Sequence, residues 1–597
     1  MTDAGAMGPT LTSTGCRFRV WAPHASRVAV MGTFSDWRQN EHLLAAQPGG
    51  IWDAEIAGVQ AGDEYLFVID NRGGDSHNPG QRGLLRIDPW ARATRHADGN
   101  AVVVDVAGEL VASGLADDPF VTPAASDWLV YQVHVGSFVG GGDGIDTGST
   151  GTGTFAQFER KLGYIRSLGF NAIALLPVQQ NPGDGSEGYG PSHLFAPESS
   201  FGSPLELRHL VRAAHDVGLA VIFDVVWNHL SDVDNRLWEF DGMTHEGGVF
   251  FEGGERSPWG PRLAFWKREV RDLIIANARI WFAEYHVDGL RIDAANEISR
   301  DLLGAVVHDV RAEPAWRSKL LIAESTGEDE SGWDTLVDEL GFDRVWSLAD
   351  PHQFRAGVDE AAEAAVRIEH LASVVDLPNA AARIRYLLGS HDDAHDNQDG
   401  ARAGHRHFIE LVGGRDDAHA RAKARLGWAL CAVLPGTPMC FMGSECHQPG
   451  YWHPRMDGNP LHGDHRFDWS QCGDRYGTQM RALVAAANQV RWDRPALRAR
   501  ELHLVHVDPR NGVLVFVRPA ADAGAVLVVV NVRPVAWLEG GYRVPMADRV
   551  GSWRVVLDSQ SAEFGGEGVP HQDAVVSDGV LSLTVPPWSV LILVPAT

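Results

Sequence analysis

The sequence predicts a multidomain α/β protein, a (β/α)8 TIM barrel flanked by an N-terminal and a C-terminal β-sandwich. Three observations carry that prediction. At 597 residues the chain exceeds what one hydrophobic core organises, and its length asks for roughly three or four domains. Its middle alternates helix-period segments closed by glycine with continuous apolar runs. Both ends instead show short period-two runs separated by turn residues.

Residues 1–15, "MTDAGAMGPTLTSTG", are expected to be a flexible N-terminus. They lack the basic start and apolar core of a signal peptide. Residues 16–110 are assigned to the first sandwich. "RFRVWAP", "RVAVMGTF", "IWDAEI" and "EYLFVID" each alternate as a half-buried strand does, with "PHAS", "QPGG" and "QAGD" as turns between them. Such short strands at regular spacing fit an antiparallel sandwich of about ninety residues.

Residues 111–498 are assigned to the barrel. "WLVYQVHVGSF" reads as its first strand and "FAQFERKLGYIRSLG" as one amphipathic helix ending at Gly169. "FNAIALLPV", the helix "PLELRHLVRAAHDVG" and "LAVIFDVVWNH" repeat the pattern. Helices closed by glycine and followed by apolar strands are βα units around a parallel sheet. Strands fall near 130, 173, 222, 290, 322, 346, 387 and 441, and eight units in about 370 residues make a barrel with insertions. An open doubly wound sheet would need a Gly-rich phosphate loop after the first strand, a pattern "HVGSFVGGGDG" fits poorly. In residues 499–597, "LHLVHV", "GVLVFVRP", "AVLVVVNV", "WRVVLDS" and "SVLILVPA" predict the second sandwich.

Composition narrows the partners. A formal charge of −27, from 78 acidic and 51 basic residues, argues against nucleic acid and anionic membranes and leaves neutral ligands open. No apolar run is long enough to span a bilayer. The five cysteines form no CxxC pair, so neither a zinc site nor a disulfide framework is expected, and the cytoplasm is the expected location. The 20 tryptophans of an acidic chain hint at carbohydrate, whose apolar faces stack on aromatic rings.

"VDGLRIDAANE" brings Asp288, Arg291 and Asp293 together around Leu290 and Ile292. Buried charges need partners, so these residues either form a structural ion pair or mark a strand end that opens into a site. In a (β/α)8 barrel the C-terminal strand ends build the active site. The third strand ends with Asp224, Asn228 and His229, the fourth with Arg291 and Asp293, and the fifth with Glu324. The seventh ends with His391 and Asp392, and the first with Tyr131 and His134. Clustering at one end favours a site, and the three carboxylates from strands four, five and seven, Asp293, Glu324 and Asp392, suit glycoside chemistry, which needs one ionised carboxylate and one protonated one. Arg291 beside Asp293 favours its ionised form. Glu324, inside apolar "LLIAES", is suited to hold a proton.

The set "DVVWNH", "GLRIDAANE", "IAES" and "SHDD" resembles the signature regions of the α-amylase superfamily. The resemblance implies Asp293 as nucleophile, Glu324 as general acid/base and Asp392 as transition-state stabiliser. It also implies supporting roles for Asp224, His229, Arg291 and His391, and makes Tyr189 in "EGYGPSHLFAP" the platform under the reacting sugar. "FRVWAPHASRVAVMGTFSDWRQ" is similar to the glycogen-binding sandwich of branching and debranching enzymes. "RIDPWARAT" and "FMGSECHQPGYWHPRMDGN" are similar to stretches of 1,4-α-glucan branching enzymes. The implied partners are α-1,4-glucans (glycogen, amylose, maltooligosaccharides), and the implied reaction cleaves α-1,4 links and forms α-1,6 branches by double displacement.

"AANEISRD", "WNH" and "HDDAHDN" depart from the branching pattern on the acceptor side. Maltooligosyltrehalose trehalohydrolases, with the same domain order, and other α-glucan hydrolases are therefore the second reading. A scaffold without catalysis would lack one of the three carboxylates, and none is missing. Tyr451 and Trp452, just past the eighth strand, are expected to stack on glucan. Trp37 and Trp52 either form a glucan surface on the N-terminal sandwich or pack its core. Asp224 and Asn228 could be read as calcium-site residues by analogy with amylases, but the resemblance to branching enzymes implies no metal and no cofactor.

Overall fold

The computed structural model describes residues 6–596 except 75, 78, 97–98, 140–150, 184, 326–334, 397–403, 455–463, 521–523 and 547–550. Residues 397 and 455–459, quoted above for the resemblance, lie outside the described residues.

The N-terminal domain packs two antiparallel sheets. Phe18, Val20, Val28, Val30, Phe67 and Ile69 alternate into the space between them, as period-two patterning requires. The flexible N-terminus is corrected, because Gly8–Leu11 is a strand paired with residues 16–19. The turn of this hairpin is held by the Thr12 N–H donating to the Gly15 carbonyl and by Thr12 Oγ1 accepting the Gly15 N–H. Trp52 is also corrected as a surface residue. It is 7% exposed in the sandwich core, and its indole N–H donates to the Ala22 carbonyl. Trp37 is half-buried on the outer face, against Ala29, Met31 and Val68.

The barrel strands are β1 (Val130–Val133), β2 (Ala172–Leu175), β3 (Ala220–Val225), β4 (Gly289–Ile292), β5 (Leu320–Ser325), β6 (Arg344–Ser347), β7 (Ile384–Arg385) and β8 (Thr437–Phe441). All neighbours pair in parallel, in the order 6-5-4-3-2-1-8-7, and a bridge from Val345 to Arg383 closes the ring. The seventh strand is shorter and earlier than expected, because Gly389, at φ +88°, turns the chain into the short helix His391–Ala394. The helix after β1 is two helices, Phe155–Glu159 and Leu162–Ser167. The Lys161 N–H donates to the Phe158 carbonyl three residues back, which tightens the turn between them. The helix Pro204–Asp216 starts as its sequence dictates. Ser203 Oγ caps the Glu206 N–H, the Glu206 carboxylate returns to the Ser203 N–H, and proline occupies the first turn.

"VDGLRID" turns out to span the barrel from end to end. Asp288 sits at the entry to β4, opposite the site, accepting from Thr122 Oγ1 (2.6 Å) and Lys319 Nζ (3.0 Å) and bonded to His215 Nε2 (2.8 Å). The C-terminal domain is an eight-stranded antiparallel assembly. It adds Trp537–Pro545, Ala574–Ser577 and Val580–Val585 to the five expected strands. No helix among the described residues is long and apolar enough to cross a membrane.

Candidate active site

At the C-terminal end of the barrel one guanidinium organises three carboxylates. Arg291, buried at the end of β4, donates from Nη1 to Asp224 Oδ1 and to Asp293 Oδ1, both at 2.9 Å. Its Nη2 lies 2.5 Å from Glu324 Oε1, an ion-pair contact without hydrogen-bond alignment. The three acids come from the ends of β3, β4 and β5, which are neighbours in the sheet, so parallel register delivers them to one point.

Each carboxylate has its own surroundings. The second oxygen of Asp293 accepts from Asn228 Nδ2 at 2.7 Å, and Asn228 also bonds the Asp293 carbonyl at 3.0 Å. Asp224 accepts the Tyr189 hydroxyl at 2.7 Å. Burial drives its pKa up to about 7, with Arg291 opposing. Glu324 accepts the Ala294 N–H at 2.8 Å. Its pKa rises well above the ordinary carboxylate range, first through burial and then through the charges of Asp293 and Asp392. Charge counting leads the same way, since one cation cannot neutralise three buried anions. Ala294 reaches Glu324 because it adopts the left-handed region at φ +40°, a conformation costly for alanine.

His391 and Tyr189 form the facing wall, their rings stacked 4.8 Å apart at 9°. Gln132, on β1, is a residue that motif reading missed. Its Oε1 accepts the His391 N–H (3.2 Å), so its Nε2 must be the donor to His391 Nδ1 (2.9 Å). The imidazole proton is thereby placed on Nε2, which faces Asp392 Oδ2 at 3.4 Å. A lone amide in the apolar run "WLVYQVHV" was the available signal, because a buried amide needs partners. Tyr131 and His134, taken from the same strand, are corrected. Tyr131 points outward to Glu445 (2.7 Å), and His134 is buried against Ser137 and the Ser186 carbonyl. His229 donates from Nε2 to the Tyr189 carbonyl at 2.9 Å, and burial lowers its pKa.

Trp452 is corrected as a stacking surface. It is 0% exposed, its indole N–H donates to Ser137 Oγ at 2.9 Å, and its ring packs on His134, His395 and Phe441. Tyr451 is half-buried, with His465 stacked on its ring at 3.7 Å and Arg406 5.0 Å from its centre. Among the described residues, metal-type ligands gather at Glu445, Cys446 and Cys472, behind the site rather than in it. Glu445 there accepts the hydroxyls of Tyr131 and Tyr164 and the Gly443 N–H. Asn228 and Asp224 are engaged with Asp293 and Arg291.

Three family profiles match the chain. They are carbohydrate-binding module 48 (isoamylase N-terminal domain) over residues 6–91, the α-amylase catalytic domain over 142–246 and the α-amylase C-terminal all-beta domain over 503–596. The 1,4-alpha-glucan branching enzyme GlgB of Nitrobacter hamburgensis is 30% identical, across 97% of this chain and 81% of that protein. The 1,4-alpha-glucan branching enzyme GlgB 2 of Xanthomonas campestris pv. campestris is 31% identical, across 97% and 80%. Of solved structures, the catalytic module of the pneumococcal glycogen-degrading virulence factor SpuA superposes with a TM-score of 0.76 at 18% identity, over 99% and 97% of the two chains. Type I pullulanase from Bacillus subtilis, complexed with maltose, gives 0.76 at 19%, over 99% and 86%. At such identity these two likenesses concern the fold alone.

Proposed function

The chain belongs to the α-amylase superfamily, in the family of the GlgB branching enzymes, and from that premise we propose that it is a 1,4-α-glucan branching enzyme working by double displacement. The GlgB relatives favour branching, and the observation that carries the double displacement is the Arg291 cluster, in which one guanidinium touches Asp224, Asp293 and Glu324. Asp293 is the nucleophile. Both of its oxygens accept from fixed donors, Arg291 and Asn228, which hold the carboxylate in place. Glu324 is the acid, because burial and neighbouring anions keep its proton on.

Asp293 attacks the anomeric carbon while Glu324 protonates the departing glycosidic oxygen. The bond to the leaving chain breaks as the glycosyl–enzyme ester forms. Glu324, now ionised, takes the proton of an incoming 6-hydroxyl, whose oxygen displaces Asp293 and restores the α configuration. A retaining pair of carboxyls stands about 5–5.5 Å apart, a spacing with which bridging by one guanidinium is compatible. Tyr189 stacks under the reacting sugar, its hydroxyl anchored on Asp224. Asp392 and the Nε2–H of His391 hold hydroxyls on the facing side.

The test is amylose as substrate, followed by iodine absorbance, new reducing ends and proton NMR of the linkages. Falling iodine colour with α-1,6 signals and few new reducing ends supports branching. A matching rise in reducing ends means a hydrolase, and trehalose release from maltooligosyltrehalose means a trehalohydrolase.

A further inference from the structure

Transfer outcompetes hydrolysis only when the acceptor is held in place, since proximity must offset the abundance of water. The surface that motif reading assigned to that task is absent at Trp452, which is buried. The insert between β3 and the helix Arg268–Ala283 offers another. Among the described residues, the exposed tryptophans are Trp238 (42%), Trp259 (47%) and Trp266 (65%), and all three lie on this insert. A soluble protein has no folding reason to leave three of its largest apolar side chains in water on one segment.

Trp259 connects this surface to the site. Its ring lies 5.9 Å from the imidazole of His229, next in sequence to the Asn228 that bonds Asp293. The turn that carries it is tightly built. Buried Ser257 Oγ accepts the N–H groups of Trp259 (3.2 Å) and Gly260 (3.1 Å) and donates to the Gly260 carbonyl (2.9 Å). The Leu230 N–H donates to the Pro261 carbonyl, and a Cβ on Gly260 would lie 2.1 Å from the Leu230 carbonyl oxygen, so the turn is pressed onto residues 229–230. The backbone of the turn is thus fixed, and the indole stands half in solvent beside His229.

The turn also borders one particular side of the cluster. Arg262 pairs with Glu297, in the loop whose Ala294 N–H holds Glu324. The acid/base marks the side on which the leaving chain departs and the acceptor enters. His229, against which the Trp259 ring lies, also bonds the Tyr189 carbonyl, and His391 stacks on Tyr189 beyond it. Trp238 and Trp266 flank residues 247–253 of the same insert: Trp238 packs on Phe251, and the Trp266 indole donates to the Glu252 carbonyl.

The geometry points to Trp259 as an acceptor-side platform, on which a glucose unit of the incoming α-1,4-glucan chain stacks, with Trp266 and Trp238 extending the track. This rests on the branching reading for its role in transfer, though not for glucan binding itself. Two measurements separate the claims. In the full chain, Trp259→Ala should lower the ratio of α-1,6 bonds formed to reducing ends released by about tenfold, while Trp259→Phe keeps most of it. In the Asp293→Asn background, adding Trp259→Ala should weaken maltoheptaose binding by about tenfold, read by calorimetry. If the parent enzyme only hydrolyses, the branching reading falls, and the binding measurement still decides the platform. Binding within twofold of the parent overturns it. So does a dimer in solution that Trp266→Ala splits, because the surface would then be an interface between copies. Should Trp259→Ala not fold, Trp259→Leu, apolar but without a flat face, gives the same reading.

Discussion

Replacing Arg291 by lysine keeps the charge and removes the fork. In the structure Nη1 serves Asp224 and Asp293 at 2.9 Å each, and Nη2 meets Glu324 at 2.5 Å. A lysine ammonium is a point donor and cannot span three acids on three strands. Nη1 alone serves two of the acids, so the ammonium loses one contact if it takes that place and two if it does not; at about 1.5–3 kcal/mol each the cost is about 1.5–6 kcal/mol. If that loss falls on the transition state, kcat/KM drops by about 10–10⁴-fold. The assay is the initial rate of iodine-colour loss on amylose, alongside thermal unfolding to establish that Arg291→Lys folds. A folded Arg291→Lys enzyme within tenfold of the parent would refute the claim that the shared guanidinium organises the chemistry.

Asp293→Asn and Glu324→Gln should each lose about 10³-fold or more in kcat with the fold intact, as residues acting in one unit do; activity within tenfold of the parent sinks the assignment. Glu324 must be protonated to act as acid, and its pKa is raised by burial, so activity should persist below that raised value and fall as pH climbs through it. A pH profile in which the alkaline limb is absent contradicts this. At the far end of the barrel, burial acts to raise the pKa of Asp118, but its hydrogen bonds to His215 and the Phe120 N–H hold it at about 2, below the ordinary 3.8. The stability it contributes is therefore complete above about pH 4 and is lost as pH falls toward 2. Asp118→Asn should flatten that part of a urea-midpoint-against-pH curve, and an unchanged curve would be the contrary result.

Much of the fold was legible in the linear chain because its signals are local. Period-two runs, glycine-closed helices and apolar strands are set by residues a few positions apart, and the eight barrel strands followed from them. The candidate acids were legible because a parallel barrel turns "end of a strand" into a place in space, so Asp224, Asp293 and Glu324 could be gathered before any contact was known. What the tertiary structure alone decided concerns which way a side chain faces and what covers it. Asp288 and Asp293 sit five residues apart yet at opposite mouths of the barrel, because the short strand between them runs from one to the other. Trp52 and Trp452 resemble Trp259 in sequence as aromatic residues near turns, but neighbours distant in the chain bury the first two and leave the third open. Gln132 gained its role from a histidine 259 positions away. Burial and partner choice are sums over such long-range contacts, and no window along the chain contains them.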